Sequence, residues 1–583
     1  MILVIIMLHT KIILVIIMLH TFVLLYRTWY TEDADYDRIY IYSIAAAPHL
    51  WISNRQEGVL ISMPNTTPET VQPQKVGGFL GWIERIGNKI PDITMLFIAA
   101  FFITCIVSMI FSYFTFDYVN PATGKQIAIT NMLSPASLVT LMTKMVTNYS
   151  GFPPLGMVIV ATLGIGIADG SGYINTGLKK ILTVTPKFLL TPIVIVVGML
   201  SHLAPDSGYM IIIPIAAYLF YASGKHPLSG VAASFAGIAG AFAANYTPSA
   251  IDPVIQGFTQ MAAQIIDPTY EVNVLCNYFY AVGSTFAVIG SCWWITEKVT
   301  EPWCWKACPL DTDIDVSESA MTAITPKENR AFYIASFVLV AMLAGLFLSL
   351  MPADSIWRDP QGNLASFKAP VMQSIVAIIF MLCAVTGIVY GIISGKFRSS
   401  KDFTHSMEEI TKTLVQLIVF YFFAAQFMYA FGASNLGALI AVSGAEFLKS
   451  LALPPQITIF GVIVFVALLN LLITSASAKW SILAPIFVPM LMSVGIAPEL
   501  TQAAFRVSDS AVNVCTPMFA FYPLIIIYCQ KYYKKTGVGT LSSMMLPYTG
   551  ALLVALTIML YLFWWFNIPL GFQADYVYPR QMF

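Results

Sequence analysis

Charged residues are scarce in this 583-residue chain: they make up 10%, whereas 58% of the residues are hydrophobic. A soluble protein carries about 25% charged residues. The 30 basic and 30 acidic residues cancel, so no overall field points to nucleic acid or to an acidic partner. The sequence contains no GxxxxGK[ST] loop to cradle phosphates, so we expect no ATP site. This composition predicts a polytopic protein embedded in the lipid bilayer.

Cysteine and catalytic motifs are equally sparse. The eight cysteines are scattered, several of them within apolar runs, which predicts buried thiols rather than a disulfide framework. No HExxH motif, paired aspartate motif or nucleophile constellation stands out, which argues against an intramembrane hydrolase. We therefore expect neither an enzyme nor a bound cofactor.

The first 62 residues differ from the rest of the chain. The nonapeptide ILVIIMLHT occurs twice without change, at 2–10 and 13–21. We interpret residues 1–62 as an extension that arose from low-complexity DNA or from the gene model, and we expect the functional chain to begin near Met63. Residues 63–92 then form a polar cytoplasmic N-terminus.

Long apolar runs dominate the remainder of the sequence. Those long enough to span a bilayer are 93–116, 188–204, 274–296, 331–351, 371–394, 412–432, 457–475 and 545–567. Shorter or interrupted runs are 154–168, 209–222, 230–244, 436–450, 482–496 and 503–529. Irregular backbone at membrane depth is tolerated only where protein or a water-filled cavity covers it, so the short runs point to a buried centre.

Two interrupted stretches correspond in the two halves of the chain. Residues 230–258 and 468–491 each contain an apolar stretch, a cluster of small and polar residues, and a proline. Such paired interruptions mark the binding site of a secondary transporter. We predict two re-entrant helical hairpins in inverted repeats, each followed by a discontinuous helix at the midplane, near 274–290 and 503–529. The expected organisation is a first transmembrane half 93–300, a loop 301–330, a second half 331–567 and a tail 568–583.

A polar stripe lies within an otherwise apolar segment of the second half. In a helix over 502–517 the spacing of three or four places these residues on one face: Gln502, Arg506, Asp509, Asn513 and Thr516. A charge in the bilayer is costly unless it is paired or hydrated. Either Arg506 and Asp509 form a structural ion pair, or the stripe faces a cavity in which Asp509 exchanges protons.

The predicted tips of the two hairpins also carry polar groups. The second tip, TSASAKW at 474–480, offers the hydroxyls of Ser475 and Ser477 and the flat ring of Trp480. Alternatively, its small residues serve helix packing and Trp480, next to Lys479, is an interfacial anchor.

The matching groups of the first half are Asn245, Thr247, Ser249 and Asp252. Carbonyls and hydroxyls at broken helices hold Na⁺, so the tips near Asn245 and Ser475 are candidate cation sites. Asp252, which precedes a proline, also fits a plain cap or turn. Asp169 and Asp206 fit caps at membrane boundaries, and we expect His202 and His226 to lie in loops.

Several motifs together resemble one family of bacterial transporters. In the second half they are SASAKWSILAPIFVPML at 475–491 and AFRVSDSAVNVCTPM at 504–518. In the first half they are GIGIADGSGYI, LAPDSGYMIIIPIAA, GKHPLSGVAASFAGIAGAFAAN and the IDP that follows. Their order and spacing from about residue 75 to 565 resemble the AbgT family, named for p-aminobenzoyl-glutamate.

The resemblance implies a homodimer in the bacterial inner membrane with nine transmembrane segments and two re-entrant hairpins per subunit. It implies transport of p-aminobenzoyl-glutamate or p-aminobenzoate-like folate fragments, and proton-driven efflux of sulfonamides. The family's cavity residues fall on these positions of this chain: Asp252, Ser477, Trp480, Pro498, Arg506, Asp509 and Pro517. Pro498 and Pro517 would mark the helix bend.

The resemblance gives each polar group a hypothetical role. Arg506 would attract substrate carboxylates or hold Asp509 in register, and Asp509, with Asp252, would couple transport to protons. Trp480 would stack on the aminobenzoyl ring, while Ser477 and Asn513 would offer hydrogen bonds. We expect proton-driven export. The alternative is uptake of p-aminobenzoyl-glutamate or another dicarboxylate coupled to Na⁺ or protons.

Overall fold

The computed structural model describes residues 91–120, 124–183, 185–203, 205–311 and 323–579. The predictions for residues 1–62 and for most of 63–92 fall outside these residues. So do part of the expected 301–330 loop and the side chain of Asp206.

Helices make up nearly all of the first half. They are α1 (Ile93–Phe111), α2 (Pro135–Ser150), α3 (Pro153–Ser171), α4 (Tyr173–Thr183), α5 (Leu190–Leu200), α6 (Pro205–Ala222), α7 (Pro227–Phe235), α8 (Ile251–Ala263), α9 (Tyr278–Ile295) and α10 (Glu301–Ala307). Local chemistry fixes their starts: the Asp92 carboxylate accepts a hydrogen bond from the Thr94 backbone N–H at 2.8 Å and caps α1. The last span runs through a π-turn to Ala307, beyond the expected boundary at residue 300.

The second half continues in the same way. Its helices are α11 (Pro326–Leu350), α12 (Pro370–Gln373), α13 (Ile375–Ser394), α14 (Ser400–Lys412), α15 (Val415–Ala433), α16 (Leu436–Ser450), α17 (Pro455–Asn470), α18 (Ala476–Met492), α19 (Pro498–Val512), α20 (Tyr522–Gln530) and α21 (Val538–Trp565). Thr325 and Glu328 form a reciprocal capping box that begins α11.

The prediction of an all-α polytopic membrane protein is confirmed. By length and composition, seven described helices can cross a membrane, or up to nine when each of two bent helix pairs counts as one span. Across the described ranges, β-structure is limited to two isolated bridges, Val119 with Gln126 and Ile496 with Val577.

Two helical hairpins reach into the protein. In the first, α5 and α6 are antiparallel. The Lys225 ammonium, after the end of α6, donates to Thr191 Oγ1 at the start of α5 at 3.2 Å, which places these two ends side by side. In the second, α17 and α18 contact each other through the rings of Phe465 and Phe487, whose centroids are 5.5 Å apart. The first chain reversal follows Leu200, and the second lies at 471–475.

The second hairpin agrees with the prediction for 468–491, but the hairpin expected at 230–258 is wrong. That stretch is a discontinuous helix made of α7, a π-turn at Ala236–Gly240, an unwound segment at 241–250, and α8. The sequence pattern is misleading because the polar cluster before Asp252 resembles a hairpin tip. The chain reversal of the first hairpin instead follows Leu200, within the apolar run 188–204, which is long enough to cross the bilayer. The discontinuity expected near 274–290 is also wrong, since α9 is continuous there.

The discontinuous helix expected at 503–529 is present as α19 and α20, separated by 513–521. The two broken helices meet at their interruptions: the Ala243 backbone N–H donates to Ser510 Oγ at 2.7 Å. Every residue of α19 is buried, whereas only Ala331 and Ala335 of α11 are. The broken helix of the second half therefore lies at the centre of the protein.

Glycines allow the first hairpin to approach the first broken helix. A Cβ added at Gly237 would lie 2.7 Å from the Ile195 carbonyl oxygen, and one at Gly198 would lie 2.9 Å from the Gly237 carbonyl carbon. Only backbone fits between these two elements, so the reversal of the first hairpin is held against the π-turn.

Candidate transport site

Buried polar side chains cluster where the interruptions and the second hairpin tip meet. They are Asn245, Ser249, Asp252, Asn470, Ser477, Lys479, Arg506, Asp509 and Asn513. Polar groups at this depth must satisfy one another, because neither lipid nor bulk water is available to them. We call this cluster the polar centre.

The first ion pair of the polar centre joins the two halves of the chain. Arg506 of α19 contacts Asp252, in the first turn of α8, at 2.6 Å between Nη2 and Oδ1. The other carboxylate oxygen of Asp252 accepts hydrogen bonds from the Ser249 backbone N–H at 2.7 Å and from its hydroxyl at 3.0 Å. The carboxylate is thus satisfied by the opposite half and by its own turn.

The second ion pair joins the second hairpin to the second broken helix. Lys479 Nζ lies 2.8 Å from Asp509 Oδ1, and the two side chains are 0% and 3% exposed. The ammonium also donates to the Asn470 side-chain oxygen. The Asn470 amide in turn donates to the Asp509 carbonyl at 3.0 Å and to Asn513 Oδ1 at 3.2 Å.

An ion pair between Arg506 and Asp509 was one of the two alternatives for this stripe, and it is not the pairing observed. The two residues share the predicted face of α19, but each takes a partner from another element: Asp252 for Arg506 and Lys479 for Asp509. The spacing of residues along one helix predicts only pairs within that helix, and not pairs with other elements. The interfacial alternative for the Lys479 and Trp480 segment is also wrong, because both side chains are fully buried.

Trp480 fixes the second hairpin to the first half. Its ring stacks on Phe505 with centroids 4.4 Å apart, and Nε1 donates to Thr259 Oγ1 at 2.9 Å. Thr259 donates to Gln502 at 2.6 Å, and Gln502 donates to Asn277 at 2.8 Å. In this conformation the indole is enclosed by protein, so its stacking on a substrate ring stays a prediction that requires the site to open.

The remaining predicted residues surround the same region. Ser475 caps α18 by accepting from the Ala478 backbone N–H at 3.4 Å. Pro498 is the first residue of α19, and Pro517 lies in the unwound segment that follows it. Within that segment Thr516 donates to the Leu471 carbonyl at 2.8 Å, which ties the unwound segment to the hairpin tip.

A cavity of about 200 Å³ adjoins the polar centre. Its polar lining comes from both halves: Thr162, Asp169, His202, Asn245, Ser249, Thr413 and Ser477. Asn245 also borders a space of about 10 Å³ beside Asp252 and Arg506. Ligand pockets in proteins begin at about 300 Å³, so this conformation is more closed than one that holds substrate.

A larger cavity, of about 690 Å³, lies away from the ion pairs. Lys125, Asn148, Met261 and Tyr429 are among its lining residues, and it touches neither ion pair. We place the candidate site at the polar centre because there buried charges converge from both halves, whereas the larger cavity is defined only by its size.

Three residues of this region escaped the sequence analysis. His202, expected in a loop, is buried and bridges Asn245 and the Ile238 carbonyl. Glu499 is buried and accepts a hydrogen bond from the Tyr270 hydroxyl at 2.9 Å. Lys479 was noted only as a companion of Trp480. The available signal was an ionisable residue inside an apolar run, which applies to Lys479 and less clearly to the other two.

Comparisons with known proteins agree with this architecture. A family model described as "AbgT putative transporter family" matches residues 78–578. The p-aminobenzoyl-glutamate transport protein of Escherichia coli K12 is 32% identical over 506 residues, which is 86% of this chain and 97% of that protein.

Two solved structures match closely. Neisseria gonorrhoeae MtrF, presented as one of a class of antimetabolite efflux pumps, is 40% identical with a TM-score of 0.80, over 85% of this chain and 100% of that chain. The Alcanivorax borkumensis YdaH transporter, presented as having an unusual topology, is 36% identical with a TM-score of 0.78, over 82% of this chain and 100% of that chain.

Proposed function

We propose, because this chain belongs to the AbgT family of transporters, that it is a secondary active transporter that exports p-aminobenzoate-like compounds in exchange for protons. Sulfonamide antimetabolites and p-aminobenzoyl-glutamate are the proposed substrates. The names of two relatives support this choice, since one is named for p-aminobenzoyl-glutamate transport and the other for antimetabolite efflux.

The observation that carries the proposal is the pairing of two buried carboxylates with two buried bases in the polar centre. A carboxylate enclosed at membrane depth is the usual carrier of protons in transporters. Asp509 and Asp252 are therefore the proposed proton-coupling groups. Arg506 is the proposed receptor for a substrate carboxylate, because its planar guanidinium matches a carboxylate in a bidentate fashion.

The proposed opening of the site moves α18 away from α19. That movement uncovers the ring of Trp480 for stacking and brings Ser477 and Asn513 within reach of an amide or sulfonyl group. The small volume of the cavity beside the polar centre, about 200 Å³, supports a site that has to expand before it accepts such a substrate.

The proposed setting is the inner membrane of a bacterium, with two copies of the chain forming a homodimer and no cofactor besides the coupling ion. The family resemblance supports the dimer and the location. The broad apolar face of α11, which includes Phe337 at 72% exposed and Phe347 at 61% exposed, supports contact with lipid or a second copy.

A second candidate function is uptake of p-aminobenzoyl-glutamate coupled to a cation. Arg506 favours p-aminobenzoyl-glutamate over a sulfonamide as the substrate, because the first carries carboxylates and the second carries none. In this alternative the hairpin tip near Ser475 and the interruption near Asn245 would hold Na⁺.

The test is flux in proteoliposomes that contain the full chain. Labelled p-aminobenzoyl-glutamate and a labelled sulfonamide are followed while a pH gradient and a Na⁺ gradient are imposed separately. Export requires the sulfonamide to move against the direction of proton flow with no effect of Na⁺. Movement of the glutamate conjugate alone, in the direction of Na⁺ flow, would establish uptake instead.

A further inference from the structure

The larger cavity, of about 690 Å³, lies in line with the smaller cavity of about 200 Å³ beside the polar centre. The same three elements border both cavities, the smaller one with the first residue of each pair and the larger one with the second: Val158 and Gly151 in and just before α3, Val254 and Met261 in α8, and Leu417 and Ala425 in α15. The two residues of each pair are about two helical turns apart. The cavities therefore lie at successive depths along one set of elements.

Three aromatic side chains lie between the two cavities. Phe152 precedes α3, Phe258 belongs to α8 and Tyr421 belongs to α15, so each falls between the two lining residues of its own element. The ring centroid of Phe152 is 5.7 Å from that of Phe258 and 5.5 Å from that of Tyr421, and the other two centroids are 6.2 Å apart. All three side chains are buried. We call these three residues the ring triad.

The ring triad also borders the polar centre. The Tyr421 hydroxyl interacts with Ser477 of the second hairpin tip, although the two groups make no regular hydrogen bond. Thr259, which follows Phe258 in α8, accepts a hydrogen bond from Trp480 Nε1 at 2.9 Å. A molecule that leaves the polar centre between α8 and α15 therefore meets these rings first.

The basic residues indicate which side of the membrane the larger cavity faces. The turn between α13 and α14 contains Lys396 and Arg398, and such basic loops mark the cytoplasmic side. α15 follows α14 and passes the smaller cavity at Leu417 before it reaches the larger one at Ala425 and Tyr429. In the proposed setting the larger cavity thus lies toward the periplasm.

The lining of the larger cavity suits an aromatic carboxylate. Lys125 belongs to this lining, and the Lys144 ammonium is 5.7 Å from the ring centroid of Tyr429, another lining residue. Among the described residues that line the cavity, none is acidic, and Asn148 and Gln264 contribute amide groups. Ligand pockets span about 300 to 1,000 Å³, so this volume accommodates a small aromatic molecule.

We propose that the larger cavity is a second binding site for aromatic carboxylates, in series with the polar centre and separated from it by the ring triad. Lys125 and Lys144 attract the carboxylate, and Tyr429 provides aromatic surface for the ring of the ligand. The ring triad parts when a molecule passes between the two sites. The inference rests on the proposed function and adds a site to its path.

The first test is protection of a single cysteine, Gln264→Cys, in right-side-out membrane vesicles that contain the full chain. An impermeant maleimide is added from outside with and without p-aminobenzoyl-glutamate. The ligand should slow labelling equally in Arg506→Met, which lacks the proposed receptor of the polar centre. Lys125→Gln combined with Lys144→Gln should raise the concentration for half-protection roughly tenfold. Lys449→Gln, at an exposed lysine in the last turn of α16, is the matched control and should leave it unchanged.

The second test asks whether the ring triad separates the two cavities. Thr162→Cys places a thiol in the smaller cavity, and a small hydrophilic thiol reagent is added from outside the vesicles. This cysteine should be unreactive behind the intact triad and become reactive when Phe258→Ala is added. Phe97→Ala, which removes a buried ring of α1 outside the triad, is the matched control and should leave the cysteine unreactive.

Three results would overturn the inference. One is the absence of any protection of Gln264→Cys. Another is protection that Arg506→Met abolishes, because the ligand would then be bound at the polar centre alone. The third is a Thr162→Cys thiol whose reactivity does not change with Phe258→Ala. If Arg506→Met or Phe258→Ala fails to fold, Arg506→Lys or Phe258→Leu replaces it with the same expectation.

The labelling tests separate this inference from the proposed function, since neither of them measures flux. If neither labelled compound moves in proteoliposomes but Gln264→Cys is protected as expected, the export assignment fails and the second site stands. If the compounds move but p-aminobenzoyl-glutamate gives no protection at Gln264→Cys, the transport assignment stands and the second site fails.

Discussion

Arg506 and Asp252 form an ion pair although more than two hundred residues separate them in the chain and they belong to opposite structural repeats. Their side chains are 7% and 11% exposed, so water screens the interaction only weakly. This contact ties the middle of α19 to the first turn of α8. This ion pair is therefore one of several buried contacts that set the relative position of the two halves.

Removing either partner of this pair should be more harmful than removing both. Arg506→Met or Asp252→Asn leaves an uncompensated buried charge, and each is expected to cost about 3–5 kcal/mol. The double variant should recover part of that loss. Thermal unfolding of the four proteins gives the coupling between the two sites.

Flux measured on the same four proteins separates stability from function. We expect the double variant to remain inactive although it is better folded than either single variant, because Arg506 is the proposed substrate receptor. Additive losses of stability would show that the pair contributes nothing as a pair.

We expect the ring of Trp480 to contribute more to the stability of the fold than its indole N–H does. Trp480→Ala removes the stack on Phe505 from a fully buried site and should cost about 3–5 kcal/mol. Trp480→Phe keeps an aromatic ring but loses the bond to Thr259, so a loss of about 1 kcal/mol is expected. Unfolding midpoints of the two variants provide the comparison. Equal losses would mean that the hydrogen bond, rather than the stack, holds the hairpin.

The topology of the first half can be tested by labelling from one side of the membrane. If α7 and α8 form one interrupted crossing, the single-cysteine variants Lys225→Cys and Gln264→Cys should react with an impermeant maleimide from opposite faces of the membrane. Cysteines at Lys187 and Lys225 should react from the same face, because α5 and α6 run out and back. The native cysteines in the described residues are buried or half-buried and should give little background. Labelling of Lys225 and Gln264 positions from one face would restore the hairpin at 230–258.

The close approach of backbone at Gly237 leaves no space for a side chain. Gly237→Ala places a methyl group 2.7 Å from the Ile195 carbonyl oxygen, so we expect a loss of about 1–3 kcal/mol. Gly290→Ala is the matched control, since a Cβ there meets nothing within 4 Å. It should be neutral or gain up to about 1 kcal/mol from better helix propensity. Similar unfolding midpoints for both variants would contradict the tight contact.

Sequence patterns predicted the membrane architecture because apolar length and the scarcity of charge are properties of single segments. The second hairpin and the interruption after α19 were also predictable, since each combines polar residues with proline within a short stretch. The first hairpin was not. Its reversal follows Leu200 within a run whose apolar length, 188–204, matches a full crossing, and the contact that reveals it joins Thr191 to Lys225.

The composition of the candidate site was predictable to a similar degree, but its pairing was not. Arg506 and Asp509 stand out because they interrupt an apolar sequence. Their partners, Asp252 and Lys479, lie on other elements, and one residue spacing is compatible with many three-dimensional pairings. Trp480 lies beside the polar centre, but its stacking on Phe505 depends on how α18 packs against α19.

The pairing of Arg506 with Asp252 also bears on the order of biosynthesis. The ribosome synthesises α8 long before α19. The Asp252 carboxylate therefore has no Arg506 partner while α9 to α18 are added. During that interval the Asp252 carboxylate has to be protonated or hydrated, or α8 has to stay outside the hydrocarbon region. Completion of the first half therefore belongs to the last stage of assembly, and a chain that stops before Arg506 should be recognised by the cell as unfinished.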